Sequence, residues 1–160
     1  MMELLLAITL TIVVLVFATA AILTSLKNYR LGSATAKVLS DIRFAQQQAH
    51  ARNGWYGVRF QASPVNQYDV YSTDGTTDTT ITNPANPATT LVINLMSDYE
   101  VAISAVNIGG GDKVEFDPMG TPYTDKSGSA LAAAGTVTLS IGGTNRVIQI
   151  LKGTGRAEVQ

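Results

Sequence analysis

Hydrophobic and polar positions fall into three regimes along the chain. Residues 4–26 read LLLAITLTIVVLVFATAAILTSL, 23 positions without a charge, a proline or a glycine. As a helix at about 1.5 Å per residue this run spans about 35 Å, enough for the ~30 Å hydrocarbon core of a bilayer. From residue 27 the apolar positions retreat to one side. Leu31, Thr35, Val38, Ile42, Ala45 and Ala49 recur at alternating spacings of four and three, while Lys27, Arg30, Lys37, Arg43, Gln47 and Arg52 fall mostly elsewhere. That is the period of a helix with one buried face. Asn53-Gly54 follows as a stop, with Gly54 expected to adopt the left-handed conformation that closes a helix. The pattern predicts one helix from about residue 2 to residue 53, about 75 Å long, with Gly32-Ser33 as a local weak point. No proline precedes Pro64, so no proline kink is expected.

After Gly54 the period drops to two. Tyr56, Val58 and Phe60 share one side of a strand over residues 55–60, and further strands are expected at 68–71, 91–95, 101–106, 114–116, 136–141 and 146–151. Gly142-Gly143-Thr144-Asn145 joins the last two as a hairpin. Segments 72–90 and 120–135, poor in apolar residues, read as surface loops. One long helix followed by seven short strands predicts an α+β fold, the helix packed on a mostly antiparallel β-sheet head. The expected organisation is a transmembrane or filament-core helix over residues 1–26, an amphipathic helix packing on the head over 27–54, and a β-rich globular head over 55–160.

Charge sharpens this division. Charged residues make up 14% of the 160 positions, against about 25% in ordinary soluble domains. Residues 1–60 carry six basic and two acidic side chains, residues 61–160 five basic and ten acidic. The helical part is basic and the head acidic, which speaks against nucleic acid as a partner. The chain has no cysteine, so a disulfide framework, a thiol nucleophile and a thiolate metal site are excluded. A head of about 100 residues can bury a core without such staples.

Candidate chemistry is sparse. His50 is the only histidine, which excludes a multi-histidine metal site and leaves it as an exposed residue near a helix end. Asp112, Glu115 and Asp117 form an acidic trio, but their spacing fits no calcium loop, and Glu115 beside Val114 and Phe116 reads as the solvated face of a strand. Gly109-Gly110-Gly111 lacks the lysine and helix of a phosphate loop and reads as a turn. Arg146, Lys152 and Arg156 are a candidate phosphate or DNA contact, set against a solvated strand end beside Glu158. No catalytic set, cofactor site or metal site is expected.

The apolar run admits three readings. It can be a plain membrane anchor. It can be a cleavable signal, with Ala18-Thr19-Ala20 as a processing site, although Met1-Met2-Glu3 lacks the positive start such a signal needs. The third reading turns on Glu3, a carboxylate that is costly at the lip of an apolar run unless something pairs with it. The start Met1-Met2-Glu3-Leu4-Leu5-Leu6 resembles the Glu-Leu-Leu start of type IV pilin-like helices. The run Leu39-Ser40-Asp41-Ile42-Arg43-Phe44-Ala45-Gln46, then Ala49-His50-Ala51-Arg52-Asn53-Gly54, resembles the helix end of pseudopilin H and fimbrial T-like minor pilins. So do Phe116-Asp117-Pro118-Met119-Gly120, Arg146-Val147-Ile148-Gln149-Ile150 and Gly153-Thr154-Gly155-Arg156. The chain departs from the family in having two residues before the glutamate, both methionine, where four are usual. No basic leader ending in glycine is visible.

The resemblance implies a pilin-like fold and a structural role in an extracellular or periplasmic type IV pilus-like helical filament. It implies that Glu3 meets the N-terminal ammonium of a neighbouring subunit, with Met1, Leu4 and Leu5 beside it. The implied partners are copies of the chain, other pilins or pseudopilins, an inner-membrane assembly platform, and the lipid bilayer before assembly. The implied location is the bacterial inner membrane first, then a surface or periplasmic filament. A minor pseudopilin of a type II secretion system, and a single-pass anchored binding domain without polymerisation, are the alternatives.

Overall fold

A computed structural model describes residues 2–160, with side chains throughout except at Leu5 and residues 14–21. Helix α1 (Met2–Arg52) runs unbroken for 51 residues, and Gly32-Ser33 does not interrupt it. The helix closes one residue earlier than expected. Asn53, not Gly54, takes the left-handed conformation (φ 50°), and the Gly54 N–H reaches back to the Ala49 carbonyl at 3.1 Å. Asparagine tolerates this region because its short polar side chain bonds locally.

The expected apolar face of α1 is buried: Leu31, Thr35, Val38, Ile42, Ala45 and Ala49, joined by Ala34. It lies on two antiparallel sheets. The first has the order β3-β2-β1-β8-β9, with β6 also paired to β2. Its strands are β1 (Trp55–Gln61), β2 (Gln67–Thr73), β3 (Asp78–Thr80), β6 (Val92–Asn94), β8 (Lys113–Phe116) and β9 (Pro122–Tyr123). The second has the order β12-β11-β10-β7, from β7 (Ala102–Asn107), β10 (Gly135–Ile141), β11 (Thr144–Ile150) and β12 (Ala157–Val159). A small hairpin, β4 (Thr82–Asn83) with β5 (Asn86–Thr90), stands apart.

Register sorts the side chains by face. Val58 opposes Val70 and Val114, and Phe60 opposes Tyr68, all buried toward α1. On the other face Gly57 opposes Tyr71 and Glu115. A Cβ on Gly57 would lie 2.7 Å from the Tyr71 ring, so the ring lies across the strand only because that position is glycine. In the second sheet Val137, Leu139, Ile148 and Ile150 complete the core.

Several elements differ from the sequence expectation. Segment 72–90 is not a plain loop but holds the end of β2 together with β3, β4 and β5. Its threonines suit extended backbone, yet it is mostly exposed, so no alternation of apolar and polar residues marks it. Segment 91–95 is cut short because the Asn94 side chain accepts N–H bonds from Met96 and Ser97, both at 3.0 Å, and caps helix α2 (Leu95–Tyr99). Segment 120–135 contains β9, and β12 was not anticipated. Glu115 does not face solvent: it is 1% exposed, on the sheet face opposite α1 and under the 124–128 segment.

Candidate assembly interface

The described side chains in the first half of α1 place apolar groups on every side of the helix. Leu4, Leu6, Ile8, Leu10, Ile12, Val13, Ile22, Leu23 and Leu26 are all exposed, Leu6 at 70%. Threonine hydroxyls do not make this surface polar. Thr9 Oγ1 donates to the Leu6 carbonyl at 2.9 Å and Thr11 Oγ1 to the Ala7 carbonyl at 2.7 Å, so both turn back onto their own helix. Glu3 is exposed at the start of the helix with Leu4 beside it. Met1 and the side chain of Leu5 lie outside the described residues. Among the described residues no helix is long and apolar enough to cross a membrane. The run expected to do so includes residues 14–21, whose side chains lie outside that description.

The second half of α1 is bolted to the head along its length. Lys27 lies against Gly142 of the β10–β11 turn, and Arg30 pairs with Glu100, the residue that closes α2. Lys37 Nζ lies 2.7 Å from Asp41, whose carboxylate also accepts the Tyr68 hydroxyl at 2.7 Å. Arg43 Nη2 donates to the Ala157 carbonyl at 3.1 Å. Gln46 Nε2 donates to the carbonyls of Gly120 and Thr154, both at 2.8 Å. His50 Nδ1 sits 3.0 Å from the Pro118 carbonyl, exposed as expected.

These contacts give physical reasons for two of the motifs. Asp117 Oδ1 accepts the N–H groups of Met119 and Thr121 (2.9 and 2.8 Å) and so shapes the turn that offers the Gly120 carbonyl to Gln46. Gly155 has a positive φ of 65°, and a Cβ there would lie 2.7 Å from the Gly120 carbonyl oxygen and 2.8 Å from Gln46 Nε2. Only glycine lets the C-terminal loop approach the helix this closely.

The acidic trio is dispersed by the fold: Asp112 is exposed, Glu115 is buried, and Asp117 caps a turn. Glu115 instead accepts the Tyr71 hydroxyl at 2.7 Å, Lys113 Nζ at 3.0 Å and the Lys126 N–H at 2.6 Å. Lys113 also holds Asp125 at 2.5 Å. Burial disfavours the Lys113 ammonium, but its bonds to Asp125 and Glu115 outweigh this and raise its pKa. The same bond from Lys113, with two from Ser127, pulls Asp125 well below the carboxylate range. Beside them Arg59 Nη2 reaches Asp69 at 2.9 Å and its Nη1 reaches Asp78 at 3.5 Å. Among the described residues no group of three His, Cys, Asp or Glu could hold a metal ion. A cleft of about 510 Å³ between α1 and the β4–β5 hairpin, lined in part by Phe44, Arg52, Tyr56 and Asn83, has no carboxylate, histidine or cysteine in its wall.

Arg146, Lys152 and Arg156 are not gathered into one patch. Arg146 lies near Gly32, while Arg156 shares a recess with Arg43 and Gln46; eleven to fourteen residues of α1 separate those sites, about 17–21 Å. Lys152 is exposed in the loop between β11 and β12. Sequence reasoning missed the Asp41–Tyr68 bond, the Gln46 bridge and the Glu115 cluster. Asp41 on the buried side of the helical period was the one available signal.

The chain matches the family described as type II transport protein GspH over residues 34–154. Its fold is similar to that of the type IV minor pilin FimU of Pseudomonas aeruginosa, at 12% identity and a TM-score of 0.56, covering 83% of this chain and 90% of FimU. It is also similar to the minor pseudopilin EpsH of the Vibrio cholerae type 2 secretion system, at 9% identity and a TM-score of 0.60, covering 82% of this chain and 96% of EpsH. At such identities the likeness is one of fold. No curated protein matches the sequence.

Proposed function

The chain belongs to the type II transport protein GspH family, and on that premise we propose that it is a structural subunit of a type IV pilus-like filament, with no enzymatic activity. The observation that carries this reading is α1, one continuous helix with an open apolar surface in its first half and the core of the head in its second. A surface of that size needs a cover, either lipid or other helices. Before assembly the apolar run lies in the inner membrane. On assembly, helices of neighbouring subunits replace the lipid and the head faces outward. Glu3 then pairs with the N-terminal ammonium of a neighbour, with Met1, Leu4 and Leu5 around the pair. The assembly platform of the inner membrane supplies the extraction step.

A second reading, a minor pseudopilin of a type II secretion system, is supported by the family match. Both readings make the chain part of a filament built from pilins or pseudopilins, and they differ in what the filament serves. The test is an epitope in the exposed β4–β5 hairpin, followed by shearing of filaments from cells. The tagged chain should sediment with the filaments, and its deletion should remove either surface pili or secreted proteins from the medium. A chain that stays wholly in the membrane fraction, with filaments and secretion unchanged by its deletion, would overturn both readings.

A further inference from the structure

The cleft of about 510 Å³ between α1 and the β4–β5 hairpin has no part in the proposed function, yet its size is that of a ligand site. The end of α1 contributes Phe44, Gln48 and Arg52, successive positions on one helix face. Opposite stands β3, with Thr79 and Thr80 in the wall. β3 is the edge strand of its sheet, and the β4–β5 hairpin that follows it forms a separate sheet, so one side of β3 has no strand to pair with. The hairpin closes the cleft with Asn83, Pro84 and Pro87, and its two prolines have no N–H to offer to that edge. Tyr56 and Ile81, both half-buried, complete the apolar part. Charge singles out one end. Arg52 Nε donates to Gln48 Oε1 at 2.9 Å, which steers the guanidinium. Among the described residues no carboxylate pairs with Arg52, and none lies in the wall. Phe44 stands eight residues before it, about 12 Å along the helix, the length of about three to four residues of extended chain.

We infer that this cleft binds the C-terminal end of an extended peptide from another protein. The last residues of the peptide add a strand to β3, an apolar side chain packs on Phe44, Tyr56 and Ile81, and the terminal carboxylate meets Arg52. Backbone pairing supplies affinity, while the apolar wall and the guanidinium supply selectivity. A helix set across from an open strand edge provides both sides of such a groove. A neutral sugar would use the aromatic rings but leave the guanidinium without an anion and the strand edge without a ladder. The inference goes beyond the filament reading and does not depend on it.

The test uses full-length chain in detergent micelles, with empty micelles as the blank. The probe is a fluorescein-labelled hexapeptide that alternates threonine and valine and ends in leucine. Fluorescence anisotropy should show saturable binding. Amidation of the peptide C-terminus should weaken it about five-fold, the scale of an exposed ion pair. Arg52→Gln should weaken binding of the free acid by the same factor and leave that of the amide unchanged. Lys152→Gln, in the exposed loop between β11 and β12, should change neither. N-methylation of alternate peptide amides tests the strand: one of the two sets should abolish binding and the other spare it. No saturable binding, equal binding of acid and amide, or equal effects of the two N-methylated sets would overturn the inference. So would displacement by maltohexaose, or tighter binding of a peptide of residues 155–160, which would make a sugar or a second copy the occupant. Sedimentation with sheared filaments is read separately. A chain that binds the peptide but stays out of filaments keeps this inference and loses the filament reading.

Discussion

The Tyr68 hydroxyl of β2 donates to the Asp41 carboxylate of α1 at 2.7 Å, a buried bond between the helix and the sheet beneath it. Asp41 also holds Lys37 one helical turn earlier. A charge is thus carried on the inner face of an amphipathic helix because both of its partners are in place. Removing the hydroxyl leaves a buried carboxylate oxygen short of a donor, which costs about 1–3 kcal/mol. Tyr68→Phe should therefore lower the Tm of the head while leaving its fold intact by circular dichroism. Asp41→Ala should cost at least as much, because it strands the hydroxyl as well.

The same tyrosine sets an alkaline limit. Burial, then the charge and hydrogen bond of Asp41, push the Tyr68 pKa upward; burial and the bond to Glu115 do the same for Tyr71. Both hydroxyls titrate near pH 10 in the unfolded chain. Above that pH the unfolded state releases protons that the folded state keeps. Their contribution to stability is whole below about pH 10 and is lost as pH rises beyond it. Thermal melts should be flat between about pH 7 and 9 and fall steeply above 10. In Tyr68→Phe and Tyr71→Phe the fall should be shallower. An unchanged alkaline slope would show that neither hydroxyl carries it.

Gly155 should resist substitution. Gly155→Ala places a Cβ 2.7 Å from the Gly120 carbonyl oxygen at a φ of 65°. Either the C-terminal loop moves off the helix or the Gln46 bridge breaks, a loss of about 1–3 kcal/mol. Gln46→Ala removes the bridge without the clash and should cost less. Chemical denaturation of the three proteins side by side would order them.

Glu3 should matter to assembly and not to folding. It is exposed, far from the head, and separated from Lys27 by more than six helical turns. Glu3→Ala should insert into the membrane as well as the unaltered chain and keep the same head Tm. Filament yield after shearing should drop sharply, because in the proposed assembly a neighbour's ammonium would lose its partner in an apolar surrounding. A yield equal to that of the unaltered chain would reduce Glu3 to an interfacial residue.

The head alone, from residue 27 onward, should be a soluble folded monomer. It retains the face from Leu31 to Ala49 that packs on both sheets and lacks the exposed apolar half. Light scattering would reveal stable oligomers, the result that contradicts this expectation.

The long helix, its buried face and most core strands were legible because each carries a strong period: all-apolar, then 3.6, then two. What escaped was structure without an apolar period. The β4–β5 hairpin is largely exposed, and β9 and β12 are only two and three residues long. The Asn94 cap was hidden at the end of an apparent strand. For the candidate interface, Glu3 stood out because a lone carboxylate beside an apolar run is conspicuous. The fate of Asp112, Glu115 and Asp117 was not readable, since neighbours in sequence were sent to solvent, to a buried sheet face and to a turn, the last two by contacts with Tyr71 on β2, Lys126 in the 124–128 segment and Thr121.

The continuity of α1 has a mechanical consequence. Tension applied to the first half of the helix enters the head through anchors spread from Arg30 to His50, about 30 Å along the axis. These attachments lie side by side along the direction of pull. A stretching force therefore loads them together, in shear, and the helix cannot be peeled from the sheets one contact at a time. A subunit built this way yields only when many bonds fail at once.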